Sequence, residues 1–415
     1  RREKAALLGY AHFADLATED RMAKRGDEAR AFVKMLRDRT EPFFRRENDE
    51  LAAFRRELEG PGAPPLAAWD VAYYAEKLRR ARFDFDEELL RPYFPFEAVL
   101  AGAFDLARSL YGLTFAPAPD APTWHPAVRA YTLHEADGRV ASYFYVDVFP
   151  RESKRDGAWM DGLVTDASSR PLHVEVLVAN FTPPVGDRPA LLAHREVETL
   201  FHEFGHLLHH ASSKVPIRTL AGTNVARDFV ELPSQIMENW CWERAALDRF
   251  ARHHETGAPL PAELFERMRA ARSFRAANAM MRQLGFAALD LALHMDWAPG
   301  RGDPTELARE VLAAYSPAPL GDDHALAASF SHLFGSPVGY AAGYYSYKWA
   351  EVLEADAFSR FSEAGLFDAK VGGEFRDAIL ARGDSEDPME LYRSFMGRAP
   401  KVDALLARDG LVASP

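Results

Sequence analysis

From Arg1 to Glu59 apolar residues recur every three or four positions: Leu7, Leu8, Tyr10, Ala11, Phe13 and Leu16, then Phe32, Met35 and Leu36, then Leu51, Phe54 and Leu58. Charges fill the gaps, which is the signature of amphipathic helices. Gly60 to Pro65, with two glycines and three prolines, cannot continue that pattern. The helical period returns at Trp69–Arg82 and Phe96–Leu110, and the turn-forming residues of 115–126 close this region. The period then changes to alternation in Val140–Phe149 and Leu172–Phe181, which are rich in Val, Tyr and Phe and bounded by Gly, Pro or Asp, so both read as strands. After Pro189 helices resume at Leu191–His210 and Phe229–Phe250, with several more down to Leu406. No repeat of 20 to 50 residues is visible. The expected architecture is a mainly α body with one small β-sheet at about 130–181, directly before a long helix.

Composition narrows the function classes. The chain has 415 residues, 48% hydrophobic and 27% charged, an ordinary balance for a folded enzyme-sized protein. Its net charge of −12 repels phosphate backbones and anionic lipid surfaces, which argues against a nucleic-acid or membrane partner. No apolar run reaches the roughly 18 to 20 residues that a helical membrane span requires. The single cysteine, Cys241, suits a reducing, cytoplasmic setting. Arg1–Ala6 contains no Met and runs straight into a helical pattern, so the expectation is a chain that was cut or processed.

Candidate chemistry concentrates at residues 199–210, Thr-Leu-Phe-His-Glu-Phe-Gly-His-Leu-Leu-His-His. Within it His202-Glu203-Phe204-Gly205-His206 has the HExxH pattern. On a helix the two histidines stand one turn apart on the same face and can share a zinc ion, while Glu203 lies beside them as a base for water. The bland alternative is a pair of capped histidines on an amphipathic helix. Val197, Leu200, Phe201, Phe204, Leu207 and Leu208 make this helix apolar around most of its circumference, and buried imidazoles and carboxylates are costly unless paired or metal-bound. A catalytic zinc takes three protein ligands and leaves one position open. A longer signature with Gly and His after the second histidine fails, because those places hold His209 and Ser212. The other source of a third ligand is a later helix, and Asp228-Phe229-Val230-Glu231 offers Glu231. Asp228 and Glu238 are candidates for orienting the second ring nitrogens. His209 and His210 read as residues of the helix C-terminus that complement its dipole.

Farther on, Phe330–Tyr347 combines glycines with phenols. Tyr340, Tyr344 and Tyr347 fall at i, i+4 and i+7, hence on one helical face, where their hydroxyls could serve a developing oxyanion. An aromatic core stripe with satisfied hydroxyls explains the same spacing, and both readings stand on the residues alone.

Leu192–His206, Asp228–Trp240 and Tyr340–Trp349 together resemble the thimet oligopeptidase family of zinc metallopeptidases, with further matches at Leu7–Tyr10, Lys154–Trp159 and Arg382–Leu391. The resemblance implies a zincin-like helical catalytic body that binds one Zn²⁺ per chain and cuts short peptides in a deep channel. It implies His202, His206 and Glu231 as metal ligands and Glu203 as general base, with His332, Tyr340, Tyr344 and Tyr347 as substrate and transition-state residues. It also implies that the strand ending Leu177–Phe181, with Ala179 and Asn180, is the sheet edge on which a peptide is laid by main-chain pairing. Two departures matter: family members carry a further N-terminal helical region before the position of Arg1, and the loop after His332 is about two residues longer here and stiffened by Pro337.

The expectation is therefore a zinc endopeptidase in which Glu203 takes a proton from an activated water and returns it to the leaving amine, while Tyr347, supported by Tyr340, stabilises the oxyanion. Residues 1–126, 127–250 and 251–415 are expected to form a helical region, the zincin core and a C-terminal helical region of one catalytic domain. Short peptides are the expected partners, and the sequence leaves the oligomeric state open. The rivals are a dipeptidyl carboxypeptidase of the same family and a zinc-containing, catalytically weak peptide-binding fragment.

Overall fold

The computed structural model describes residues 1–168 and 171–412. The chain opens with two short helices, α1 (Arg2–Leu7) and α2 (Phe13–Thr18), and then the 34-residue α3 (Gly26–Glu59). Gly60, at φ 95°, ends α3 in a backbone region that favours glycine. Next come α4 (Ala68–Phe83) and α5 (Phe96–Tyr111), and α5 stops at Gly112 in the left-handed conformation.

Five strands follow: β1 (Thr114–Pro117), β2 (Arg129–His134), β3 (Val140–Asp147), β4 (Trp159–Val164) and β5 (His173–Val178). They form one sheet in the order β1-β2-β3-β5-β4. All neighbours are antiparallel except β3 and β5, which run parallel. β1 lies in a stretch read from sequence as turn. It is only four residues long and carries Pro117, and pairing with Tyr131–His134 of β2 is what makes it a strand.

The sheet also corrects the placement of the peptide-binding edge. β5 is interior, paired on one side with β3 and on the other with β4, so the edge strands among the described residues are β1 and β4, and β4 is the edge beside β5. Ala179 is fully buried and its amide donates to the Asp147 carbonyl at 3.0 Å. Asn180 spends its side-chain amide on the Arg155 and Gly157 carbonyls, at 3.0 and 2.8 Å. Both residues lie beyond the end of β5, which stops at Val178.

The helices after the sheet are α6 (His194–Ala211), α7 (Leu232–Glu238), α8 (Arg244–Phe250), α9 (Ala262–Ala271), α10 (Ala276–Leu291), α11 (Pro304–Ala313), α12 (Leu326–Ser329), α13 (Ser331–Phe334), α14 (Ser346–Ala364), α15 (Ala369–Phe375), α16 (Pro388–Met396) and α17 (Asp403–Arg408). The mainly helical body with one small sheet is therefore the observed architecture. Among the described residues, no helix is long and apolar enough to cross a membrane.

Two large cores organise the molecule. One surrounds α6 and the sheet and takes in Leu106, Phe144, Phe201, Phe204, Phe229, Trp240 and Phe361. The other joins Phe32 and Leu36 of α3 to Met281 and Leu284 of α10, and to Ala341, Ala342 and Tyr345 ahead of α14. Trp349 packs against both. The HExxH helix thus belongs to the first core and the tyrosine segment to the second, which puts the candidate chemistry where the two meet.

Candidate metal centre and its surroundings

Helix α6 begins where the Glu196 carboxylate turns back to accept the Ala193 amide at 2.7 Å. Its apolar face is fully buried at Val197, Leu200, Phe201, Phe204 and Leu207. That burial fixes the rotation of the helix and sends His202 and His206 together toward α7. Gly205 lets α7 approach: a β-carbon there would run into the Pro233 carbonyl oxygen and lie 2.6 Å from Ser234 Cα. Because the helices cross with no side chain between them, Glu231, the residue preceding α7, reaches both histidines. Glu231 Oε2 lies 3.3 Å from His202 Nε2 and 3.1 Å from His206 Nε2. Ser234 Oγ donates to the same oxygen at 3.0 Å and to the Glu231 carbonyl at 3.0 Å, so the carboxylate is held in place.

His202, His206 and Glu231 offer one donor atom each, all within 4.8 Å of one another. Two ligands at about 2.0 to 2.1 Å from a tetrahedral ion stand about 3.3 Å apart. The donor set therefore fits a metal in both chemistry and spacing. Its electrostatics point the same way. Burial works against charge at His202 and Glu231, yet hydrogen bonds with Glu231 and Glu238 hold the His202 imidazole well above its usual value. Bonds from the two imidazoles likewise hold Glu231 well below the ordinary carboxylate range. A dication at the centre would take the place of the proton that this pair otherwise shares, because a metal-bound imidazole is neutral while the carboxylate stays ionised. Glu238 Oε1 lies 2.6 Å from His202 Nδ1, which aims Nε2 at that centre.

Glu203 is buried on the neighbouring side, and its Oε2 has no hydrogen-bond partner among the described residues. Burial pushes its carboxyl up from the ordinary value, against the pull of His202 and His206; the Met160 amide of β4 also bears on it. Glu203 thus lies against β4, an edge strand of the sheet.

Other expectations from the sequence need revision. Asp228 does not orient a histidine: it accepts the Met22 and Ala23 amides at 2.9 and 3.1 Å and the Tyr345 hydroxyl at 2.7 Å, tying the start of the chain to the tyrosine segment. His209 and His210 are both buried and do not act as exposed cations at a helix end. Burial lowers the His209 pKa to about 3, so its ring stays neutral, and neither nitrogen has a partner among the described residues. His210 Nδ1 meets Glu175 Oε1 at 2.7 Å and Nε2 meets Thr165 Oγ1 at 2.9 Å, which fastens the end of α6 to the sheet.

The tyrosines are brought together by a turn rather than by one helix face. α14 starts only at Ser346, so of the three phenols Tyr347 alone is helical. The rings nevertheless cluster: Tyr340 stacks on Tyr347 at 5.4 Å between centroids, and Tyr344 meets Tyr347 edge-on at 5.2 Å. His332 joins them at 5.8 Å from Tyr340 and 5.7 Å from Tyr344, and its carbonyl accepts the Tyr340 amide at 3.0 Å despite the longer loop. Burial, the Tyr340 phenol and the Glu231 carboxylate all raise the Tyr347 hydroxyl, so it remains a donor in the field of Glu231. Tyr344 instead donates to Gln283 Oε1 at 3.0 Å. The Arg227 guanidinium lies 4.8 Å over the Tyr340 ring.

A sequence profile of peptidase family M3 matches residues 1–411. The chain belongs to peptidase family M3. It is 42% identical to oligopeptidase A of Escherichia coli (strain K12) across 99% of this chain and 61% of that protein. It is 39% identical to the dipeptidyl carboxypeptidase of the same organism, over 99% of this chain and 60% of that one. The M3 chain thus spans about three-fifths of the length of these relatives. In fold it is similar to PZ peptidase A, solved with inhibitor 2, at a TM-score of 0.55 and 15% identity over 99% of this chain and 62% of that one. Membership in a metallopeptidase family accords with the three-donor centre.

Proposed function

We propose that this M3 chain is a zinc-dependent endopeptidase that cleaves short peptides. The observation that carries the reading is the convergence of His202, His206 and Glu231 on one point, with the buried Glu203, whose Oε2 has no partner among the described residues, next to His202 in the same helix. Zinc bound by those three residues would supply Lewis acidity for the scissile carbonyl and for a reacting water. The chain's own groups do the rest. Glu203, with its basicity raised by burial, accepts the proton of the attacking water and passes it to the leaving amine. Glu238 holds the His202 ring, and Ser234 holds the Glu231 carboxylate. Tyr347, kept protonated and stacked on Tyr340, donates to the oxygen that becomes negative, and His332 and Tyr344 border the same space. A peptide lies along the free edge of β4, where Leu163 and Val164 are exposed, rather than at Ala179 and Asn180.

Both cores draw on distant parts of the chain, which supports reading 1–126, 127–250 and 251–415 as parts of one catalytic domain. The single, buried Cys241 supports a cytoplasmic setting. Similarity to a dipeptidyl carboxypeptidase favours a second reading, release of C-terminal dipeptides.

The test is cleavage of internally quenched peptides of increasing length, with and without a chelator, and with added zinc. Internal cuts that stop on chelation and return with zinc are expected. Cuts always two residues from the C-terminus would favour the second reading. A metal-loaded protein that binds peptides and cuts none would overturn both, leaving a binding fragment.

A further inference from the structure

The tyrosine segment between Pro337 and Tyr345 has no regular helix or strand to hold it. Its amides converge instead on one carboxylate. Asp290, fully buried at the end of α10, accepts the Ala342 amide on Oδ1 at 2.7 Å, and the Gly343 and Tyr344 amides on Oδ2 at 2.8 Å each. Three successive N–H groups turned on one anion make a nest. Ala342 adopts φ 52° to build it, a left-handed conformation that a β-carbon disfavours and that persists only where the surroundings over-determine it. From the other side Arg21 Nη1 donates to the Ala342 carbonyl at 3.2 Å, and a β-carbon on Gly343 would collide with that nitrogen.

Asp290 has a support of its own. Beyond α10 the chain widens into a π turn over Ala292–Asp296, which brings His294 back onto Asp290. His294 Nδ1 hydrogen-bonds the Asp290 backbone carbonyl at 2.9 Å and stands 2.8 Å from Asp290 Oδ1, and its Nε2 is 2.9 Å from Arg1 Nη1. A guanidinium only donates, so Nε2 accepts and the ring proton sits on Nδ1, pointed at Asp290. Arg1 also donates to the carbonyls of Leu333, Ser336 and Pro337, at 2.5, 2.9 and 3.0 Å, in the stretch that follows His332. Arg1 to His294 to Asp290 therefore forms one run of contacts that ties together the two segments that carry His332 and the tyrosines.

We propose that Asp290, backed by His294, is a positioning residue that sets the tyrosine turn so that the Tyr347 hydroxyl, with Tyr340 beside it, meets the reacting carbonyl. The inference rests on the tyrosine role given under Proposed function. It assigns Asp290 an effect on turnover that acts through Tyr347, whereas a carboxylate that merely caps a turn would lower stability and nothing else.

A double-mutant cycle in the metal-loaded full chain tests it. Asp290→Asn places an amide N–H against at least one of the three backbone donors, and kcat should fall by roughly tenfold to a hundredfold with KM within about twofold and metal content unchanged. Tyr347→Phe should lower kcat by about tenfold to a thousandfold. In the Tyr347→Phe background Asp290→Asn should add less than about threefold, because the phenol it positions is gone. An unchanged kcat in folded Asp290→Asn, or its full loss repeated in the double variant, would overturn the inference. Should Asp290→Asn not fold, His294→Leu carries the same cycle: the expected kcat loss is about threefold to tenfold, absorbed in the Tyr347→Phe background, and an unchanged or multiplicative effect overturns the proposal. Full activity of Tyr347→Phe would remove the tyrosine role itself, so the two failures are distinct.

Discussion

Gly205→Ala tests how Glu231 reaches the two histidines of the proposed zinc site. On an isolated helix the change would stabilise by about 1 kcal/mol, since alanine is the better helix former. Here the new β-carbon would meet the Pro233 carbonyl and lie 2.6 Å from Ser234 Cα. Carbon atoms in contact prefer about 3.5 Å or more, so α7 has to retreat by roughly 0.9 Å. Overpacking of this kind costs about 1 to 3 kcal/mol, which offsets or outweighs the helical gain. The larger effect falls on the metal. Glu231 immediately precedes α7 and is bonded to Ser234, the residue that is pushed, so its carboxylate moves with the helix. Metal–ligand distances tolerate only about 0.2 Å. The expected result is a loss of zinc affinity of at least about tenfold to a hundredfold, measured by competition with a chromophoric chelator, and a smaller rise in Tm on adding metal than the parent shows. A variant that bound zinc within about twofold of the parent and melted higher would refute the reasoning.

Two further outcomes follow from the same geometry. Glu238→Ala removes the partner of His202 Nδ1 and should weaken zinc binding by about tenfold to a hundredfold without unfolding the protein, as read by chelator competition alongside circular dichroism. His209 should make the fold acid-sensitive: its folded pKa is lowered to about 3 by burial, while the unfolded chain takes up its proton near 6.5. Its contribution is therefore intact above about pH 6.5 and is lost progressively as the pH falls toward 3, reaching about 2 kcal/mol at pH 5. Denaturant melts at pH 7 and pH 5 should show His209→Leu losing less stability than the parent, and equal losses would rule the mechanism out.

Features set by local spacing were readable from the residues, and those set by distant partners were not. The i, i+4 histidines on an apolar helix fix their shared face within one turn, and the structure brings Glu231 to them. The reason for Gly205, however, lies in Pro233 and Ser234, which no periodicity connects to it. Strand order was hidden for a similar reason. β5 follows β4 in the chain yet inserts between β3 and β4, so a run that reads as a terminal strand is interior and the edge falls one strand earlier. The tyrosine spacing matched a helical face, but a buried Asp290 pins that stretch as a turn, and the signal for it is the one acid of α10, over fifty residues upstream. His210 looked like a helix-end residue until the fold set Glu175 and Thr165 against it.

The most direct test of the account compares Glu203→Gln with the parent protein, measuring zinc content and turnover of a quenched peptide on the same preparations. The amide keeps the shape of the buried side chain and cannot take up a proton, while His202, His206 and Glu231 are untouched. The account predicts zinc content equal to that of the parent and turnover reduced by at least about a hundredfold. Parental turnover by the zinc-loaded variant would contradict it.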